Sequence, residues 1–209
     1  MKNNLIALTL FFFISQLTFA QSSKTRIYGE IGLGAGQTTI NTASKVMLEK
    51  ALGGTFEPSI GSNLMMAFYI SPEKWKGFGI GSRIQGTFGS STSGTNDSEY
   101  FFNYYNLSLA AKYFLLSKEF NKGVYINTSV GFGQFTAKRS NEAANDYQHQ
   151  FAIGTSLMAG FGYTFPFKKN ALSIEMQYEY ANRSGTVTGE GGSVSFITGQ
   201  IGGNIILSF

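Results

Sequence analysis

The chain has no cysteine, so disulfides contribute nothing to its stability and no thiolate is available as a metal ligand. It has one histidine, His149, too few imidazoles for a zinc site in the absence of Cys. Proline occurs only 3 times and charged residues make up only 13% of the sequence. The formal net charge of +4 is spread thinly, with no Lys/Arg run longer than two residues, so the stripe expected of a nucleic-acid-binding surface is missing. Beyond Ala20 no apolar run approaches the roughly 20 residues of a membrane-spanning helix.

Residues 1–20 read as a secretory signal peptide. Met1-Lys2 gives a short basic start, Leu5 to Ile14 is nearly continuous apolar sequence, and Thr18-Phe19-Ala20 offers small residues for cleavage. The apolar run is too short for a membrane anchor, and no Cys follows the cleavage site to carry a lipid. The mature chain, 21–209, is expected to form one domain.

Glycine (26 residues) and aromatics (15%) are plentiful, and apolar residues fall at alternate positions. The clearest case is the final stretch, Phe196 to Phe209. Ile197, Gly199, Ile201, Gly203, Ile205, Leu207 and Phe209 alternate with residues that are polar or small except for Ile206. Side chains of a strand alternate faces, so this segment has one apolar and one wet side. An apolar edge strand at a chain end invites aggregation unless it is paired, and a closed barrel pairs the last strand with the first.

The same alternation predicts seven earlier strands, near 25–37, 56–70, 77–89, 99–116, 123–137, 147–165 and 171–182. A polar start at Asn41 or Thr42, good helix formers and then Gly53-Gly54 predict a helix over 43–52. The connections alternate long and short. The long ones are Thr38–Gly54, Ser90–Ser98, Lys138–Asp146 and Gly185–Ser195; the short ones lie at Ser71–Lys74, Ser117–Lys122 and Pro166–Asn170. The fold class that follows is all-β: an eight-stranded antiparallel, transmembrane up-and-down β-barrel. A mean hydropathy of −0.03 is compatible with this, because only alternate residues would face lipid. Both termini fall at the short-turn end, the periplasmic side in this reading.

The eight strands, the signal peptide and the terminal Phe209 resemble the small outer-membrane β-barrel proteins of Gram-negative bacteria, the "outer membrane protein beta-barrel domain" group. The resemblance covers the whole mature chain and rests on alternation and the terminal aromatic. It implies outer-membrane lipid and lipopolysaccharide as surroundings, and recognition of the last strand, at Ile205, Leu207 and Phe209, by the barrel-assembly machinery. Some eight-stranded barrels are lipid-modifying hydrolases, but His149 has no Ser two residues away on its face, so no catalytic site and no cofactor are expected. Gly32-x-Gly34-x-Gly36 lacks the following helix of a nucleotide site.

The remaining candidates are charged residues on the polar faces. Glu30, Arg83, Lys112 and Glu175 each lie about four to six residues above the short-turn ends, in one layer, with Glu179 one layer higher. An eight-stranded barrel is just wide enough for side chains to fill it. Two bases among three acids then form a salt-bridged plug, the alternative being a proton or ion path. Inward glycines at 32, 34, 36, 79, 81, 131 and 133 lie beside Tyr28, Tyr104 and Tyr125, either to admit the rings or merely from Gly-rich composition. Aromatics predict girdles, with Phe68, Trp75, Phe78, Tyr113 and Phe165 low, and Phe88, Phe132, Phe151, Tyr178 and Tyr180 high. The lysine-rich short turns would suit anionic headgroups. The expected role is structural or surface-interacting, through the long loops. The alternatives are a narrow porin-like pore, lateral uptake of a small hydrophobic molecule, or a soluble lipocalin-like barrel with the aliphatic residues turned inward.

Overall fold

In the computed structural model, residues 25–92, 98–141, 146–186 and 193–209 are described, without the side chains of 92, 141 and 146–149. The predicted signal peptide lies outside them.

Apolar/polar alternation over long segments can be satisfied only by extended chain with different solvents on its two sides. Eight strands result: β1 (Thr25–Ile40), β2 (Ile60–Pro72), β3 (Phe78–Thr92), β4 (Glu99–Phe114), β5 (Gly123–Asn141), β6 (Asp146–Phe167), β7 (Asn170–Thr186) and β8 (Ser193–Ser208). Each pairs antiparallel with the next, and β1 pairs with β8 to close the barrel. Closure runs from Glu30 opposite Ser208 to Ile40 opposite Thr198. It continues one pair further, since Gly29 and Phe209 exchange both backbone hydrogen bonds at 3.0 Å.

The aliphatic side points outward. Ile31, Leu33, Leu64, Ile84, Leu107, Leu157, Ile174, Ile201 and Ile205 are exposed, whereas Glu30, Arg83, Lys112, Glu175 and Gln200 are buried inside. The soluble alternative, with these sides exchanged, is thereby ruled out.

Several strands run past their predicted ends. β3 reaches Thr92, β5 reaches Asn141 and β7 begins at Asn170 and reaches Thr186. Their ends are rich in Ser, Thr, Asn and Lys, which read as loop by composition. Backbone pairing depends little on side-chain polarity, so hairpins such as Thr92 opposite Glu99 and Thr186 opposite Ser193 continue through polar sequence. The strand predicted from Phe56 starts instead at Ile60. Phe56 is drawn inward, with its ring 4.8 Å from that of Phe102 and 5.5 Å from that of Tyr100.

The predicted helix forms as α1 (Thr42–Leu52). Asn41 caps it by accepting a hydrogen bond from the Ser44 N–H, and Gly53 ends it with φ 72°, a conformation that favours glycine. The Ser44 hydroxyl accepts from Ile197 N of β8, and Arg139 of β5 donates to the Leu52 carbonyl. These ties hold the helix at the barrel mouth, with Leu48 and Leu52 turned into a cluster containing Tyr100, Phe102, Tyr104, Phe135 and Phe196.

Candidate functional site

The barrel interior is the candidate site, and the strand register determines which side chains share a level. Glu30 of β1 lies opposite Ala67 of β2, which lies opposite Arg83 of β3. Across the lumen, Glu175 of β7 lies opposite Asn204 of β8. All these side chains are buried inside the barrel.

The four residues placed in one layer form two ion pairs. Lys112 Nζ lies 2.6 Å from Glu30 Oε1 and 2.7 Å from Oε2, with the Ser208 hydroxyl at 3.3 Å from Oε1. Arg83 Nη1 donates to Glu175 Oε1 at 2.7 Å; its Nε donates to Gln85 at 3.1 Å, and Nη2 donates to Gln177. Asn127 joins the two pairs. Its amide donates to Glu175 Oε2 at 3.2 Å, and its carbonyl oxygen accepts from the Tyr69 hydroxyl at 3.4 Å. Lys112 Nζ sits over the rings of Tyr69 and Tyr125, 4.9 and 4.5 Å from their centres. Buried charges are tolerated when paired and hydrogen-bonded in this way.

Glu179 belongs to a second level, and here the count of charges changes. Arg183 lies one residue beyond the strand end predicted at Asn182 and is absent from the predicted charge layers, yet it is fully buried inside β7. Arg183 Nη2 lies 3.7 Å from Glu179, and Nη1 donates to the Tyr104 hydroxyl at 2.5 Å and to Thr198 at 2.9 Å. Its guanidinium also stacks over the Tyr104 ring at 4.0 Å. Glu179 accepts further from Asn106 at 3.0 Å, Gln200 at 2.8 Å and Tyr104 at 3.1 Å. Among the described residues the lumen therefore holds three bases, Arg83, Lys112 and Arg183, against three acids, and not two against three. The signal was present: the odd-numbered series Ser173, Glu175, Gln177, Glu179 extends in step to Arg183.

Aromatic residues gather at both ends of the lumen. On the long-connection side α1 and its cluster cover the Arg183 level. On the short-turn side Phe120 leaves its turn and enters the lumen, with its ring 4.6 Å from Tyr28, 5.6 Å from Tyr69 and 5.1 Å from Phe114. Phe120 falls within the short turn predicted at Ser117–Lys122, between the polar residues Glu119 and Asn121. Asn121 and Gly123 turn the chain with φ of 65° and 84°. The inward glycines are required by packing at two positions at least. A Cβ on Gly79 would lie 2.5 Å from the Phe120 ring, and one on Gly32 would lie 2.6 Å from Met65 Cγ.

The terminal residues lie outside the lumen. Ile205 and Leu207 of β8 form one exposed row with Phe209 just beyond it, and the Phe209 ring covers Gly29. His149 pairs with Lys138 through the β5–β6 ladder, and its side chain lies outside the described ones. Among the described residues no group of three or more His, Asp or Glu side chains could hold a metal ion.

No family model matches the chain, and no curated protein matches it in sequence. Solved structures do share its shape. Ail, the attachment invasion locus protein of Yersinia pestis, solved with the heparin analogue sucrose octasulfate, superposes with a TM-score of 0.52 at 14% identity, over 87% of this chain and 99% of Ail. Neisserial surface protein A superposes with a TM-score of 0.51 at 10% identity, over 88% of this chain and 99% of that protein. The fold of this chain is that of the small eight-stranded outer-membrane barrels.

Proposed function

We propose that the protein is an integral outer-membrane barrel with a closed lumen, acting through the surface it presents on its long-connection side. The observation that carries this reading is the pairing of two opposite features. The outside is a band of exposed aliphatic and aromatic side chains, which water would not stabilise, and the inside holds buried ion pairs among polar and aromatic side chains. A closed lumen leaves the outer surface and the connections to do the work.

The names of the two structural neighbours, an attachment protein and a surface protein, support a surface-interaction role. Both termini and the short turns are assigned to the periplasm, and α1 with the long connections to the outside. The exposed row Ile205, Leu207 and Phe209 is assigned to recognition by the assembly machinery.

Two measurements test this. Purified protein in planar bilayers is expected to give no steady conductance; a large, steady current would overturn the closed lumen. In intact cells, a membrane-impermeant thiol reagent is expected to label Lys50→Cys on α1 and to spare Lys118→Cys. The reverse pattern would overturn the orientation.

A further inference from the structure

The two ends of the barrel differ in charge. Among the described side chains, the short-turn end, together with the start of β1, carries Arg26 and six lysines against Glu73 and Glu119, a net of +5 from seven positive and two negative groups. The described lumen side chains balance, three bases against three acids. At the opposite end, Lys45, Lys50, Lys138 and Arg139 stand near Glu49, Glu57 and Glu99, close to balance among the described residues. There Lys45 is shared between Glu49, at 3.8 Å, and Glu57, and Arg139 is committed to the α1 carbonyl terminus.

At the short-turn end the acids are used up locally. Glu73 lies 3.6 Å from Arg26 and Glu119 lies 3.5 Å from Lys122. Lys74, Lys76, Lys118, Lys168 and Lys169 are exposed and have no acidic partner among the described residues. Each of their turns also carries a large apolar residue facing outward. Trp75 sits between Lys74 and Lys76, with its ring 5.7 Å from Phe78. Leu116 precedes Lys118 and is 87% exposed, and Phe165 and Phe167, 50% and 46% exposed, precede Lys168 and Lys169. An apolar anchor within a few residues of an exposed ammonium group matches the depth profile of a bilayer surface, with rings at the hydrocarbon boundary and cations among the headgroups.

We infer that this rim is a binding surface for anionic phospholipid headgroups, gathered by the five unpaired lysines around the Trp75, Leu116 and Phe167 anchors. The inference rests on the membrane reading above and adds a lipid class and a position. Attraction of lysines to an anionic leaflet is additive over several groups and falls within a Debye length, so the preference is salt-sensitive.

Trp75, the single tryptophan of the chain, reports from inside the surface. Full-length protein is reconstituted in vesicles with increasing fractions of acyl-brominated phosphatidylglycerol or of phosphatidylcholine with the same brominated chains. The expected result is half-maximal quenching at about a three- to tenfold lower fraction of the anionic lipid, with the difference lost in about 1 M salt. It is also expected to be lost in the exposed quadruple variant Lys74→Gln, Lys76→Gln, Lys168→Gln, Lys169→Gln. Equal quenching by the two lipids would overturn the inference while leaving the barrel in the membrane. A preference retained by the variant would overturn the assignment to these lysines. Displacement of brominated phosphatidylglycerol by an equal or smaller fraction of lipopolysaccharide would overturn the phospholipid assignment in favour of lipid A phosphates. Absence of quenching by either lipid would overturn the membrane reading itself.

Discussion

Gly29 and Phe209 are joined by a reciprocal pair of backbone hydrogen bonds at 3.0 Å, and the Phe209 ring lies across the face that Gly29 leaves bare. The last residue thus completes the ladder that the first strand begins, and a side chain at 29 would strike the ring, since its Cβ would sit 2.6 Å from Phe209 Cε2. Gly29→Val is expected to displace the ring and weaken closure, and Phe209→Ala to leave the β1–β8 seam uncovered. A cross-strand contact of this kind contributes about 1 kcal/mol. Urea unfolding of vesicle-inserted protein should place both variants below wild type, with the double variant no worse than the sum of the two.

The Lys112–Glu30 pair is expected to behave as a unit. Lys112→Met leaves a fully buried carboxylate without its partner and should cost about 3–5 kcal/mol. Glu30→Gln in the same chain removes the orphaned charge and should recover much of that loss. A double-mutant cycle measured by chemical unfolding checks this; additive losses would show that the two groups do not stabilise one another.

These levels were only partly legible in the sequence. Period-two alternation fixed the strands and the sides of Glu30, Arg83, Lys112 and Glu175, because one face must meet each environment. The pairing of particular partners was not legible, since Arg83 and Glu175 are separated by 92 positions and meet only after the barrel closes. Arg183 lies just past the predicted strand end at Asn182, where Ser184 and Gly185 interrupt the apolar alternation, and Phe120 falls in a turn whose flanking residues are polar. The asymmetry of the mouth, with Phe56 leaving the second strand to pack beneath α1, depends on tertiary contacts that no local pattern records.

Arg183 joins Glu179, Tyr104 and Thr198, so its removal should loosen one level without opening the barrel. Arg183→Gln is expected to destabilise the protein by about 3 kcal/mol or more, the cost of leaving Glu179 partly unpaired. Bilayer conductance should stay absent, because the Arg83–Glu175 and Lys112–Glu30 pairs still fill the level below. Steady current through this variant would show that the upper level alone holds the lumen shut.

Leu48 is 1% exposed and anchors α1 over the mouth. Leu48→Ala should weaken docking of the helix by about 2–5 kcal/mol. Hydrogen exchange is expected to show faster exchange over 42–52 with unchanged protection in β3 to β8. Loss of protection throughout would mean that the helix is integral to barrel stability and not a cover laid upon it.

Everything rests on the aliphatic side of the sheet meeting hydrocarbon. Because the chain has no native cysteine, single nitroxide labels can be placed at Ile201→Cys and Gln200→Cys in vesicle-inserted protein without background. Ile201 is 52% exposed and Gln200 is fully buried. The account predicts that the label at 201 collides freely with lipid-dissolved oxygen while the label at 200 does not. Oxygen contact at 200 and none at 201 would contradict it.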